Sequence, residues 1–101
     1  MNRLFCFGLG FSAAHFVRTL DPAAWQIAGT RRAVTGDARQ EGVDLYRFSS
    51  EAPLDDPAAA LGGTTHLLVS VPPDEQGDPV LRAHRDDLLD LCPGLAGRWS
   101  L

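Results

Sequence analysis

Residues 5–16 read FCFGLGFSAAHF, and two glycines one residue apart, Gly8 and Gly10, divide an apolar run from a helical pattern. The run, Arg3 to Phe7, has the continuous hydrophobicity of a strand buried on both faces, as in parallel sheets. Ala13, Phe16, Val17 and Leu20 then recur at i, i+3, i+4 and i+7, which predicts a helix with one apolar stripe, ended by Asp21-Pro22. Strand, glycine turn and helix form the setting in which G-x-G-x-x-A, met here by Gly8, Gly10 and Ala13, binds a dinucleotide diphosphate. Gly8 permits the sharp turn, Gly10 leaves no Cβ between backbone and phosphate, and Ala13 lets the helix lie close to the strand. Phe11 and Ser12 complete the turn. Ser12 offers either a helix cap or one hydroxyl contact, and the first helical N–H groups have no intrahelical partner.

Two other readings share this stretch. A tight strand-to-helix turn that binds nothing has the same spacing. GFSAA, residues 10–14, also approximates the G-x-S-x-G nucleophile elbow. The elbow needs an acid and then a histidine downstream; only His66 and His84 follow, and His66 falls inside a strand pattern.

Outward from the turn, WQIAGT (25–30) is a second strand, and a polar stretch with Gly36 and Gly42 follows, holding one helical turn at about Asp37 to Glu41. VDLYRF (43–48) is a third strand, less apolar and nearer an edge. Asp56 before Pro57 reads as an N-cap with proline at the first helical position, and Gly62-Gly63 closes that short helix. THLLVSV (65–71), stopped by Pro72-Pro73, is the fourth strand. Val80, Leu81, His84, Leu88, Leu91 and Cys92 carry a third helix, and RWSL (98–101) begins a fifth strand. Strands alternating with helices imply a parallel sheet with right-handed crossovers.

At the end of the second strand stand Thr30, Arg31 and Arg32, where an NAD-type site places a carboxylate on the ribose 2′-hydroxyl. The nearest carboxylate, Asp37, is well into the loop. A guanidinium pairs bidentately with phosphate oxygens, so these residues favour NADP over NAD, with Arg31 and Arg32 on the 2′-phosphate and Thr30 assisting. The missing carboxylate also disfavours FAD-type and methyltransferase-type sites. No lysine stands near the turn, which excludes a P-loop. In a 3-2-1-4 sheet the first and fourth strands flank the ligand crevice, so Ser70, Val71 and Pro72 should form its wall.

The bulk numbers bound these readings. A chain of 101 residues, 45% hydrophobic and 22% charged, suits one globular domain. A net charge of −4 argues against nucleic-acid binding, which requires phosphate neutralisation over a wide surface. Cys6 and Cys92 match no metal spacing and read as reduced, structural thiols compatible with the cytoplasm. No metal site, secretory signal or bilayer-spanning segment is expected. His15, His66 and His84 share no ligand spacing, and the adjacent acidic pairs read as solvated faces or caps.

FGLGFSA (7–13), AGTRR (28–32) and HLLVSVPPDEQGDPVL (66–81) resemble, in this order, the N-terminal half of atypical short-chain dehydrogenase/reductases of the NAD-dependent epimerase/dehydratase-like branch. The resemblance implies Gly8, Gly10 and Ala13 at the pyrophosphate, Thr30, Arg31 and Arg32 near the adenosine ribose, and Ser70 to Pro72 on the inner wall. The usual Asn- or Ala-rich turn after the fourth strand is replaced here by Ser-Val-Pro-Pro. Members of that superfamily also carry a Tyr-x-x-x-Lys pair; the one tyrosine here, Tyr46, has Ser50 four residues on.

Residues 1–101 are therefore expected to form an α/β, Rossmann-like NAD(P)-binding domain, order 3-2-1-4 with the start of a fifth strand, helices on both faces, truncated before the catalytic and substrate-binding part. The expected function is dinucleotide binding, from an oxidoreductase- or epimerase-like protein, with no catalytic residue on this chain alone. A nonenzymatic nucleotide-binding structural or sensory module is the alternative.

Overall fold

The first strand, β1 (Asn2–Phe7), is the central strand, and Leu4, Phe5, Cys6 and Phe7 are wholly buried in it. Side chains alternate across a sheet, so Leu4 and Cys6 face one way and Phe5 and Phe7 the other. This is how one apolar run supplies both cores. The computed structural model describes residues 2–32, 39–40, 42–49, 52–71, 75–92, 95 and 97–100.

β2 (Trp25–Arg31) pairs parallel with one edge of β1, in the register Leu4↔Ile27, and β5 (His66–Val69) pairs parallel with the other, in the register Leu4↔His66. β4 (Val43–Arg47) lies parallel outside β2, and β6 (Gly97–Ser100) parallel outside β5. With the two-residue β3 (Arg39–Gln40), the sheet order is β3-β4-β2-β1-β5-β6. Apart from β3, this is the 3-2-1-4 arrangement with a fifth strand, a Rossmann-like α/β fold.

α1 (Phe11–Val17) covers one face, where Ala13 and Val17 pack with Leu4, Cys6, Leu9, Val43, Leu45 and Leu68. α2 (Pro57–Leu61) and α3 (Pro79–Leu91) cover the other, on Phe5, Phe7, Ala28, Leu67 and Val69. Complete burial of side chains such as Phe5, Phe7, Leu61 and Leu67 stabilises the fold by about 1.5–3 kcal/mol each.

Local chemistry sets the helix starts. Asp56 accepts from Ala59 N–H at 3.2 Å, and Asp78 accepts from Val80 and Leu81 N–H at 2.9 and 3.3 Å; a proline opens each helix after its cap. α1 has no such side chain: its N-cap is Gly10, so Ser12 does not cap it.

The segment expected to hold a helical turn behaves differently. Arg39–Gln40 is a strand, antiparallel to β4 with Arg39↔Asp44 and Gln40↔Val43 in register. Two residues, Glu41 and Gly42, separate the paired strands, and Gly42 has φ +80°, the left-handed conformation that tight hairpin loops require. Asp37, Ala38 and Glu41 lie outside the described residues. β2 also runs one residue further than the sequence suggests, so that Arg31 belongs to the strand rather than to the loop.

α3 is bent at His84, whose φ of −131° and ψ of 17° leave the helical region. The imidazole is buried, accepting at Nε2 from Leu54 N–H at 3.0 Å while Nδ1 meets Asp87 Oδ2 at 2.8 Å. An acceptor Nε2 fixes the proton on Nδ1, which donates to Asp87. His84 thus ties the segment between β4 and α2 to α3.

Candidate functional site

The chain order reverses at β1: β2 and β4 lie on one side, β5 and β6 on the other. In open α/β sheets this places a crevice beyond the carboxyl ends of β1 and β5. The glycine turn stands there.

Gly8 has φ +88°, and a Cβ on it would come within 3.0 Å of Val71 Cγ2 and 3.1 Å of Val71 N. The backbone conformation therefore favours glycine, and Val71 and Ser70 leave a Cβ little room. The same contacts place Gly8 against Ser70 and Val71, and Ser70 N–H donates to Phe7 O at 2.8 Å. Beneath the turn, the Phe7 ring lies 5.1 Å from Phe48 and 6.1 Å from His84, centroid to centroid. The turn has a rigid floor.

β2 braces the turn from the other side. Thr30 is 1% exposed; its Oγ1 accepts from Gly8 N–H at 2.8 Å, and its carbonyl accepts from Leu9 N–H at 2.8 Å. Gly10 N–H donates to Gly8 O at 2.9 Å. The N–H groups of Gly8, Leu9 and Gly10 are thus all spent within the protein. Those of Ser12 and Ala13, in the first turn of α1, make no hydrogen bond to a described residue. Gly10 itself has φ −84°, open to any residue, and among the described residues beyond its chain neighbours a Cβ there would meet nothing within 4 Å.

The structure therefore brings Gly8, Gly10, Ser12, Ala13, Thr30, Arg31, Ser70 and Val71 to the carboxyl ends of β1, β2 and β5. Arg31 and Arg32 are exposed there. Thr30, read from the sequence as a ribose contact, is turned inward as the clamp on Gly8. Pro72 and the side chain of Phe11 lie outside the described residues. Sequence reasoning passed over Arg47, the last residue of β4, which is exposed and pairs in register with Arg31. It also passed over the His84 tie. The register of β2 and β4 reveals the first, and the long-range contact with Leu54 the second.

Among the described residues no other chemistry is assembled around Ser12. His66 opens β5 at the amino end of the sheet, with Thr65 Oγ1 2.9 Å from its Nδ1 and Trp25 edge-on at 4.9 Å. His84 is committed to Leu54 and Asp87. Tyr46 packs toward Phe5, ring centroids 6.0 Å apart, on the α2–α3 face. Both cysteines are free and buried. Among the described residues no group of three His, Cys, Asp or Glu could hold a metal, and no helix is long and apolar enough to cross a membrane.

No protein-family model matches the chain, and no curated protein does. Solved structures do. A functionally unknown conserved protein from Silicibacter pomeroyi DSS is 33% identical with a TM-score of 0.72, over 99% of this chain and 35% of that one. A D-isomer specific 2-hydroxyacid dehydrogenase from Xanthobacter autotrophicus Py2 superposes with a TM-score of 0.61 at 20% identity, over 89% of this chain and 27% of its own. A D-isomer specific 2-hydroxyacid dehydrogenase family protein from Klebsiella pneumoniae 342 gives 0.57 at 19%, over 98% and 37%. The chain thus spans about a third of the length of these proteins.

Proposed function

We propose that this chain binds a nicotinamide dinucleotide across the β1–β5 crevice, as the cofactor-binding part of an oxidoreductase- or epimerase-like protein. The observation that carries the reading is Gly10. Its backbone angle suits any residue, and among the described residues nothing beyond its chain neighbours lies within 4 Å of where a Cβ would sit. At an N-cap glycine is by itself an ordinary choice, preferred over alanine. The open space there lets the phosphates of a ligand approach the main chain and meet the N–H groups of Ser12 and Ala13. Ser70 and Val71 then wall the crevice. The dehydrogenase names of two structural neighbours support the same class of cofactor.

Such a cofactor accepts or donates hydride at a carbon bearing a hydroxyl or carbonyl group. This chain's residues hold and orient it, with Tyr46 lacking a lysine four residues on and packed, half-buried, against the core. Proton transfer and substrate binding fall to residues of a larger protein, of which 1–101 form the dinucleotide domain. The motif resemblance points to a short-chain dehydrogenase/reductase-like parent, and the solved neighbours offer 2-hydroxyacid oxidation as the alternative chemistry.

Arg31 and Arg32 favour NADP. Calorimetric titration of the purified chain should show NADPH binding at least tenfold tighter than NADH. The Arg31→Ala/Arg32→Ala double variant should bring the two together, because each charge-assisted hydrogen bond to phosphate contributes about 1.5–3 kcal/mol. Equal affinities in the unaltered chain contradict the NADP assignment, and no binding of either dinucleotide contradicts the reading as a whole.

A further inference from the structure

Arg31 and Arg47 are Cα partners in the parallel β2–β4 pair. Adjacent strands lie about 4.8 Å apart, and register partners in a parallel pair project from the same face. Val43 and Leu45 belong to the α1-side cluster, so Arg47, two residues on, projects to that side as well. Arg31 rims the cleft on that side with Leu9, Val43 and Leu45. The Arg31 and Arg47 side chains therefore leave the same face of adjacent strands at the carboxyl rim, with Arg32 next in the chain. All nine basic residues of this acidic chain are arginines, and three of them lie at the carboxyl ends of β2 and β4. None of the three forms an ion pair with a described residue.

Like charges directly opposite on neighbouring strands are destabilising. A dianion between them reverses the sign of that interaction, and two planar forks suit the tetrahedral oxygens of a phosphate monoester. We propose that Arg47 is a specificity-determining residue, the second jaw with Arg31 of a clamp for a ribose 2′-phosphate. The proposal rests on the dinucleotide reading for the identity of its full ligand, while the clamp itself answers to a smaller probe.

The test titrates the unaltered chain, Arg47→Gln, Arg47→Lys and Arg31→Gln with NADPH, NADH and 2′-AMP, and follows thermal unfolding of each without ligand. Arg47→Gln should weaken NADPH and 2′-AMP about tenfold and leave NADH unchanged, with Arg47→Lys recovering part of the loss. Without ligand, Arg47→Gln should unfold at the same or a higher temperature, since it removes a repulsion; a merely structural arginine would lower it. If Arg47→Gln leaves the NADPH-to-NADH ratio unchanged while Arg31→Gln lowers it, the second jaw is overturned and the dinucleotide reading stands. If 2′-AMP binds in an Arg47-dependent way but neither dinucleotide binds, the clamp stands and the dinucleotide reading falls. Absence of 2′-AMP binding overturns the clamp whatever the dinucleotides do.

Discussion

Thr30 shows how a residue's neighbourhood changes its meaning. Its place at the end of the second strand suggests a hand on the ribose, yet its hydroxyl is turned inward, 2.8 Å from Gly8 N. A β-branched residue in a strand has few rotamers, and the inward one meets an N–H that would otherwise lack an acceptor. Thr30→Val keeps the shape and removes the acceptor, at a cost of about 1–3 kcal/mol in stability. Affinity for NADPH and NADH should fall together, because the variant loosens the turn and not a ribose contact, and Thr30→Ser should restore both. A change in the ratio of the two affinities would return Thr30 to the ribose.

At the scale of elements, most boundaries were legible because each rests on local chemistry. Asp56-Pro57 starts α2, Gly62 ends it, and the unbroken apolar run of β1 marks a strand covered on both faces. The helix expected at Asp37 to Glu41 was not legible as a hairpin. Its signal is a two-residue loop with one glycine, and what holds Arg39–Gln40 is pairing with β4, which sequence periodicity does not register. The same limit hid Arg47: the β4 pattern reads only as an edge strand until its partner is known. The bend at His84 likewise answers to Leu54, thirty residues away in the chain, so no local pattern announces it.

For the molecule as a whole, two sides of one sheet enclose two cores, and the thiols report on both. Cys6 lies in the α1-side core and Cys92 in the other. Burial pushes the Cys6 thiol from its ordinary value near 9 up to about 12. Burial also raises Cys92, against the smaller opposing pull of the Thr64 hydroxyl and the Arg3 guanidinium. The folded state therefore holds these protons more tightly than the unfolded chain. Stability from this source is complete below about pH 9 and declines as pH rises toward about 12. The slope approaches 1.4 kcal/mol per pH unit for each thiol fully protonated in the fold and ionised outside it. Urea midpoints measured through this range should fall, less steeply in Cys6→Ala, and a thiol-reactive dye should label neither cysteine until the protein unfolds. Rapid labelling of the folded protein would contradict both cores.

The space above Gly10 is where a diphosphate would lie, and Gly10→Val fills it. A Cβ here meets no described atom within 4 Å beyond its chain neighbours and needs no unusual φ, so the fold should be retained, with at most about 1 kcal/mol lost at the helix cap. Titration with NADPH should then show affinity reduced a hundredfold or more against the unaltered chain, with matching circular dichroism and unfolding curves. A folded Gly10→Val protein that binds NADPH as well as the original would show that no diphosphate rests on this turn.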